Sequence, residues 1–310
     1  MKLNEPKFWQ DKNFISFLLS PLSLVTHFVN FLKKIFPKKK FKIKTICIGN
    51  IYVGGTGKTS LAIEIHNILK KKYKTVFIKK NYLDQKDEIK LLENSGKIIS
   101  TDSRSNSLNI AEKKGFEIAI LDDGFQQKNI DYDLKILCFN SKRGIGNGMV
   151  LPSGPLRESF NEINNCDLIF INGENKKNKL IKKIKLINKS INIFETNYFP
   201  TNLKEINTKR NFLIFCGIGN PHEFENTLSK HKLIVKRKFI YPDHYQILDK
   251  DINKMKKLAK KEGLSIITTE KDYFRLHKKQ KKNITFLRTR LKIYNLNKLK
   301  KVLFNIDEKI

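Results

Sequence analysis

The feature that most constrains the fold is a glycine-rich segment between an apolar run and a helical pattern. Residues 49–60 read GNIYVGGTGKTS, with the apolar run TICI before them and the pattern LAIEIHNILKKK after them. A strand, a glycine-rich turn and a helix in this order bind nucleotide phosphates, because successive backbone N–H groups and the helix N-terminus face the anion. Lys58 is expected to reach the outer phosphates, and the Thr59 hydroxyl is expected to face Mg²⁺. The predicted nucleotide-binding residues are Tyr52, Val53, Gly54, Gly55, Thr56, Gly57, Lys58 and Thr59.

Tyr52 departs from the usual phosphate-binding pattern, which has glycine at that position. A glycine-rich turn that happens to carry a lysine is therefore the alternative interpretation. The strand before the turn, the helix after it and the three glycines at 54, 55 and 57 favour the nucleotide site.

The charge of the chain predicts an anionic partner. The 310 residues, enough for about two domains, include 62 Lys and Arg against 30 Asp and Glu, a formal net charge of +32. Such a charge favours nucleic acid, an anionic membrane surface or phosphorylated substrates. A biased composition, rich in Lys, Asn, Ile and Phe together, is the competing explanation for many of these lysines.

The cysteines predict a reducing compartment. Each lies in or beside an apolar run, and they form neither a CxxC pair nor a Cys/His cluster with metal-ligand spacing. We therefore expect small buried thiols in a cytoplasmic protein. These cysteines are Cys47, Cys138, Cys166 and Cys216.

Residues 14–36, FISFLLSPLSLVTHFVNFLKKIF, form an apolar segment with one polar stripe and a basic end at residues 37–40. A wide apolar face beside a narrow polar one favours a helix lying in a membrane interface. A membrane span and a helix packed on protein are the alternatives. Pro21 is expected to kink or start the continuous helix. The stripe consists of Ser16, Ser20, Ser23, His27, Asn30 and Lys34.

From residue 41 the pattern alternates between strands and helices, which predicts an α/β fold of P-loop NTPase type, with a mostly parallel sheet covered by helices on both faces. We expect a membrane-associated N-terminal helix over residues 1–40, a P-loop kinase core over 41–199 and a smaller C-terminal α/β domain over 200–310. Core strands are predicted at 45–49, 75–79, 98–100, 118–121, 134–139 and 168–171, with helices at 59–71, 103–114 and 176–188. C-terminal strands are predicted at 212–216, 235–240, 264–268 and 284–287, with helices at 221–229, 249–262 and 296–304.

A carboxylate pair follows the strand predicted at 118–121. Asp122 and Asp123 precede Gly124, and carboxylates at this place hold Mg²⁺ or its waters against the phosphates. The alternative is an ordinary Asp-Gly turn. No Asn-Lys-x-Asp loop for reading guanine occurs, so ATP is the predicted nucleotide.

Transfer to a hydroxyl also needs a base, and acidic or histidine residues in loops after strands are candidates. These are Asp87, Glu88, Asp243 and His244. The long Gly/Pro-rich stretch 143–158, RGIGNGMVLPSGPLRE, is a second candidate element, because long loops in compact domains often carry function. Its Arg143 and Arg157 are positioned to bind another anionic group, with an ordinary surface loop as the alternative.

Taken together, the segments GNIYVGGTGKTS, ILDDGFQQ, GNGMVLPSGPLRE, CDLIFING, CGIGNPHEF, PDHYQIL and TTEKD resemble the tetraacyldisaccharide 4′-kinase family of lipid A biosynthesis. The family tolerates a residue other than glycine at the Tyr52 position. The resemblance implies a phosphotransferase with an alcohol group as acceptor. It would move the ATP γ-phosphate to the 4′-hydroxyl of a tetraacyldisaccharide 1-phosphate at the cytoplasmic face of the bacterial inner membrane.

The resemblance also implies roles for individual residues. Asp87 is the expected general base with His244 assisting it, and Lys58 completes the catalytic set. Where the family has Ser-Arg-Gly-Tyr-Gly, this chain has Lys79-Lys80-Asn81-Tyr82-Leu83, and a lysine cannot copy the two-pronged arginine fork. The expected Mg²⁺ ligands are Thr59, Asp122, Asp123 and Glu88, and the expected substrate-binding residues are Arg104, Arg143 and Arg157.

Two other functions compete with the lipid kinase. One is a basic P-loop ATPase acting on nucleic acid, although aromatic residues are not interleaved with the basic runs as base stacking requires. The other is a membrane-associated nucleotide-binding scaffold without turnover, if the changes at residues 79–89 disable the site. We expect a lipid disaccharide phosphate and an anionic membrane surface as partners, with no nucleic acid and no obligate protein partner.

Overall fold

The computed structural model describes residues 5–81, 86–173, 179–243 and 245–306, without the side chains of residues 86 and 87. Short 3-10 helices lie at Lys7–Trp9, Phe160–Asn165 and Leu203–Glu205. The larger elements are, in chain order, α1 (Phe14–Leu18), α2 (Ser20–Ile35), β1 (Lys44–Gly49), α3 (Lys58–Leu69), β2 (Thr75–Lys80), α4 (Lys86–Glu93), β3 (Ile98–Thr101), α5 (Arg104–Lys113), β4 (Ile118–Asp122), β5 (Leu134–Asn140), β6 (Leu168–Asn172), α6 (Lys179–Ile187), β7 (Asn192–Pro200), β8 (Phe212–Cys216), α7 (Pro221–Lys230), β9 (Val235–Ile240), α8 (Asp249–Glu262), β10 (Ser265–Thr269), α9 (Glu270–Arg275), β11 (Ile284–Leu287), β12 (Thr289–Ile293) and α10 (Leu296–Phe304).

The chain divides into two compact units. The described residues within Tyr82–Asn94 and Tyr198–Lys292 form the smaller unit, and those within Leu3–Asn81, Ser95–Asn197 and Ile293–Ile310 form the larger one. One change between the two units falls between Asn197 and Tyr198. The segment containing α4 groups with the smaller unit, and α10 groups with the larger one.

The main sheet has the strand order β12-β7-β6-β5-β1-β4-β2-β3. The neighbours from β7 to β3 all pair in parallel. Its central strands are apolar and buried almost throughout, as expected for parallel strands covered on both faces. The prediction of a mostly parallel α/β fold is confirmed. Because β1 and β4 are neighbours, the loops that follow them lie at the same edge of the sheet.

The smaller unit contains a four-stranded sheet in the order β11-β10-β8-β9, with every pair parallel. One layer of apolar side chains packs on each face of this sheet. Strands β8 and β10 are its buried centre, and the loops after them carry the GIGNP and EKD segments.

Sequence periodicity missed four elements, namely β7, β12, α4 and α9. Strand β7 is mostly half-buried, with Phe194 and Thr196 as its buried positions, and contains Glu, Asn and Pro, so it lacks the apolar run that marks the central strands. Helix α9 spans only six residues and begins at a side-chain cap, with Thr269 Oγ1 accepting from the Asp272 N–H. Short elements of this kind depend on tertiary packing more than on local pattern.

The predicted N-terminal helix is present in two pieces, with the break at Leu19 and Pro21 in the first turn of α2. Its polar stripe faces the protein. The Ser23 hydroxyl donates to the Val150 carbonyl at 2.8 Å, the Asn30 amide donates to the Arg157 carbonyl at 2.8 Å, and Lys34 forms an ion pair with Glu162. His27 is exposed, and the Ser20 hydroxyl donates to the Phe17 carbonyl of the N-terminal segment itself.

The apolar face of α1 and α2 is consequently exposed. This is the reverse of a helix in a soluble domain, whose apolar stripe faces the core. Within the described ranges, none of the helices combines the length and apolar character needed to cross a bilayer. The exposed apolar residues are Phe14, Ile15, Phe17, Leu18, Leu22, Leu24, Val25, Phe28, Val29, Phe31, Leu32, Ile35 and Phe36.

Candidate active site

The glycine-rich loop between β1 and α3 adopts a conformation that depends on its glycines. Gly57 caps α3 at φ 86° and Gly54 has φ 109°, both in the left-handed region that favours glycine. A Cβ atom on Gly54 would also lie 2.7 Å from Arg143 Nη1. The side-chain amide of Asn50 donates to the carbonyls of Tyr52 at 2.6 Å and Gly54 at 3.1 Å, so hydrogen bonds within the loop stabilise its conformation.

Two further contacts anchor the loop to neighbouring elements. Asn172, at the end of β6, donates its amide to the Thr56 carbonyl. The Val53 N–H donates to the Pro155 carbonyl at 2.9 Å. The loop therefore enters α3 with Lys58 and Thr59 as the first two helical residues, the arrangement that binds phosphate at a helix N-terminus. Gly55 lies in the same loop, half-buried.

Tyr52, the position that departs from the usual pattern, is a buried anchor. Its hydroxyl lies 3.5 Å from Glu5 Oε2, and the Arg143 guanidinium lies 2.8 Å from Glu5 Oε1. Burial, with a smaller contribution from the Glu5 carboxylate, raises the pKa of Tyr52 to about 12. Arg143 thus lies beside Gly54 of the phosphate-binding loop, paired with Glu5.

Asp122 is the point on which three elements converge. It ends β4 with no exposed surface. Its Oδ2 atom accepts from Thr59 Oγ1 of α3 at 3.1 Å and from Lys79 Nζ of β2 at 2.7 Å. Its Oδ1 atom is buried and has no hydrogen-bond partner among the described residues. Buried carboxylate oxygens are rarely left in this state.

The donor set at Asp122 fits a hard divalent cation. In P-loop proteins, the protein groups beside Mg²⁺ are typically a threonine or serine hydroxyl and a carboxylate, while phosphates and waters supply the other ligands. The Oδ1 atom of Asp122, unpaired among the described residues and near the Thr59 hydroxyl, matches this set. Within the described part of the chain, no group of three or more His, Cys, Asp or Glu side chains could hold a metal by itself. The buried Thr56 hydroxyl also lacks a protein partner there, so the loop retains hydrogen-bonding capacity for a ligand.

Asp123 has a different environment, because it pairs with cations. It adopts φ 52°, and its carboxylate accepts from Arg157 Nη1 at 3.2 Å to each oxygen and lies 3.6 Å from Lys58 Nζ. Burial alone would raise the pKa of Asp123, but the charges of Lys58 and Arg157 outweigh it and lower that pKa below its ordinary value. Asp123 therefore holds the P-loop lysine and Arg157 together.

Arg104, a predicted substrate-binding residue, is buried beneath this loop. Its guanidinium donates to the Asp123 carbonyl at 2.9 Å and to Gln127 Oε1 at 3.1 Å. It braces the turn that carries the carboxylates. Of the three arginines, Arg143 and Arg157 are the ones that the structure brings to the P-loop and its facing carboxylate.

The residues predicted to act on the acceptor are only partly described by the structure. His244 and the side chain of Asp87 lie outside the described part of the chain. Glu88, on α4, pairs with Lys271 Nζ at 3.3 Å, and the same Nζ atom lies 3.5 Å from Asp243 Oδ1. Lys271 thus links the helix that carries position 87 to the residue preceding His244.

Sequence reasoning missed Asn50, Asn172 and Lys271 as parts of these sites. The two asparagines follow or end β1 and β6, and polar residues at the carboxyl ends of parallel strands are the signal that could have found them. Lys271 lies in the TTEKD segment, which alone does not reveal its two carboxylate partners. The cysteines are free and buried, as predicted.

Known proteins resemble this chain over nearly its whole length. The family model described as tetraacyldisaccharide-1-P 4′-kinase, LpxK, matches residues 15–97 and 86–306. A tetraacyldisaccharide 4′-kinase of Pelagibacter ubique (strain HTCC1062) is 46% identical over 316 residues, covering 100% of both chains. The protein of the same name from Rickettsia canadensis (strain McKiel) is 33% identical, covering 98% of both.

A solved structure shares the fold. The crystal structure of LpxK from Aquifex aeolicus in complex with ATP superposes with a TM-score of 0.74 and 24% identity, covering 94% of this chain and 99% of that one. At this identity the likeness concerns the fold. Since the family model and the two relatives each extend over nearly the whole sequence, the chain belongs to the tetraacyldisaccharide-1-P 4′-kinase family.

Proposed function

We propose that this chain transfers the γ-phosphate of ATP to the 4′-hydroxyl of a tetraacyldisaccharide 1-phosphate, with Mg²⁺, at the cytoplasmic face of the inner membrane during the synthesis of lipid A and lipopolysaccharide. The observation that carries the proposal is the convergence of Lys58 and Thr59 on the pair Asp122 and Asp123, in a chain of this family. The same geometry recurs in enzymes that transfer phosphoryl groups, where positioning and charge account for most of the catalysis.

On the donor side, the backbone of the glycine-rich loop binds the phosphates and Lys58 contacts the outer ones. Thr59 and Asp122 would hold Mg²⁺, which when bound neutralises charge on the transferring phosphoryl group. Asp123 keeps Lys58 and Arg157 positioned until the phosphates compete for them, since Asp123 is the carboxylate with which both cations pair among the described residues. Arg143, beside Gly54, is available to the same anion once it leaves Glu5.

On the acceptor side, Asp87 takes the proton of the attacking hydroxyl and His244 assists it, with Glu88 as a further candidate Mg²⁺ ligand. Lys271 supports this assignment, because it ties Glu88 on α4 to Asp243 within one unit. A base must be held in a defined position to act on a hydroxyl, and a shared ion pair holds both segments.

The membrane is the partner that the exposed face of α1 and α2 fits. An apolar face turned away from the protein, with Lys33 in the last turn, suits insertion at an anionic lipid surface. The acceptor carries its acyl chains in such a surface. The polar stripe that binds the loop at 147–162 keeps this face outward.

The decisive experiment is a phosphorylation assay with a tetraacylated glucosamine disaccharide 1-phosphate, ATP and Mg²⁺. The purified protein should form the 1,4′-bisphosphate. Lys58→Ala should abolish the product, and Asp87→Ala should lower the rate sharply while ATP still binds. A full rate in Asp87→Ala would remove the base assignment. ATP hydrolysis stimulated by RNA or DNA and indifferent to lipid would instead support a nucleic-acid ATPase.

A further inference from the structure

Lys79 is an unusual neighbour for the carboxylate of a nucleotide site. Its side chain is 2% exposed and that of Asp122 is 0% exposed, and the two form an ion pair of 2.7 Å. Burying an ammonium group is costly unless a carboxylate compensates it with good geometry. This pair therefore belongs to the core of the site, unlike the solvent-exposed lysines that dominate the composition.

The register of the sheet explains why the two side chains meet. Strands β2 and β4 are parallel neighbours, with Phe77 beside Ile120 and Ile78 beside Leu121. The next step of this register places Lys79 beside Asp122. Side chains at paired positions of neighbouring strands lie on the same face of a sheet, so the contact follows from strand pairing.

The two oxygens of Asp122 differ sharply. Oδ2 accepts from both Lys79 and the Thr59 hydroxyl, while Oδ1 is buried without a partner among the described residues. One oxygen is saturated by an internal cation, and the other remains for a further positive group. The same carboxylate can therefore serve two cations at once, one on each oxygen.

We propose that Lys79 is an internal cation that shares Asp122 with the Mg²⁺ of the ATP complex and keeps Asp122 neutralised when no metal is present. This inference deepens the proposed function and rests on it, since it concerns the same nucleotide site. Divalent cations then bind together with ATP and bind poorly alone. Lys79 is a positioning residue, because it acts through Asp122.

The local charges support this role. Lys58, Lys79 and Arg157 face Asp122 and Asp123, so positive charges outnumber negative ones before any ligand arrives. Such a site attracts the polyphosphate and repels a free divalent cation. Without the Lys79 ammonium, Asp122 becomes a buried carboxylate with only a hydroxyl partner, which is an attractive ligand for a divalent cation.

The test is Mn²⁺ binding to the nucleotide-free protein, followed by electron paramagnetic resonance. We expect weak binding to the unmodified chain and binding that is tighter by about tenfold or more in Lys79→Met, whose side chain has similar length and no charge. Lys135→Met is the matched control: it removes one charge from the opposite, amino-terminal end of the same sheet and should leave Mn²⁺ affinity unchanged. Lys79→Met combined with Asp122→Asn should abolish the gain.

If Lys79→Met folds poorly, thermal unfolding replaces the binding measurement. Mg²⁺ should then raise the melting temperature of Lys79→Met far more than that of the unmodified chain. The variant that combines Lys79→Met with Asp122→Asn should fold, and Mg²⁺ should not change its melting temperature. Equal Mn²⁺ affinities in the unmodified chain and Lys79→Met, or a Lys79→Met melting temperature indifferent to Mg²⁺, would overturn it. Neither measurement contains lipid or ATP, so failure here is distinguishable from failure of the kinase proposal.

Discussion

The outward apolar face of α2 leads to a quantitative prediction about membrane binding. Leu24, Phe28 and Phe31 lie on one side of the helix, at spacings of four and three residues, and are 67%, 60% and 59% exposed. Changing all three to Gln should leave the fold intact, because these side chains extend away from the polar stripe that contacts the protein. The change should weaken binding to anionic vesicles.

The magnitude follows from the exposed fractions. Fully burying a Leu or Phe side chain stabilises by about 1.5–3 kcal/mol, so burying the exposed part of each contributes about 1 kcal/mol, and the three together about 3 kcal/mol. A difference of about 1.4 kcal/mol is tenfold in an equilibrium constant, so vesicle affinity should fall about a hundredfold.

Cosedimentation with phosphatidylglycerol vesicles at fixed ionic strength measures this affinity. Leu24→Gln alone should weaken binding about fivefold, whereas Leu186→Gln, on α6 and 81% exposed, provides the matched control and should have no effect. Circular dichroism should show unchanged secondary structure in each variant. A triple variant that binds within about twofold of the unmodified chain would refute the assignment of this face to the membrane.

Three further predictions concern the site and its supports. Asp123 has a lowered pKa, because the charges of Lys58 and Arg157 outweigh the effect of burial. Its contribution to the stability of the fold is therefore present above its ordinary pKa of 3.8 and is lost as pH falls through the lower pKa of the folded state. Between about pH 5 and about pH 3, the melting temperature should drop less steeply in Asp123→Asn than in the unmodified chain. Ser23→Val leaves the buried Ser153 hydroxyl without its 2.7 Å partner, and should cost about 1–3 kcal/mol in urea unfolding, whereas a cost near zero would mean that the contact contributes nothing. Lys271→Met should lower kcat and leave the KM for ATP unchanged, because the ion pairs of Lys271 join Glu88 to Asp243 within the smaller unit, whereas the phosphate-binding loop belongs to the larger unit; an altered KM for ATP with normal kcat would contradict this.

Local pattern was sufficient for the central strands and the phosphate-binding loop. Strands β1, β4 and β6 read as apolar runs because parallel strands are buried on both faces, and the GGTGKT turn needs glycine at two left-handed positions, Gly54 and Gly57. Periodicity failed where burial is partial. Helix α9 depends on a cap and on neighbours, and β7 has too many polar residues to be recognised as a strand.

The site residues divide in the same way, into those predictable from their sequence neighbours and those defined by contacts with residues far away in the sequence. Lys58, Thr59, Asp122 and Asp123 could be predicted, because each lies directly after a strand or at a helix start. Lys271 could not, since its partners Glu88 and Asp243 are far away in the sequence. Contacts of this kind exist only once the chain has folded.

By itself, the sequence determined the parallel α/β architecture, the phosphate-binding loop, the carboxylates facing it and the amphipathic character of the N-terminal segment. Only the tertiary structure decided how these parts are used. It turned the polar stripe of α2 inward, because Val150, Ser153 and Arg157 offer hydrogen-bond partners there. It also placed Lys79 on Asp122, since strand order and register, which no local pattern encodes, bring β2 beside β4.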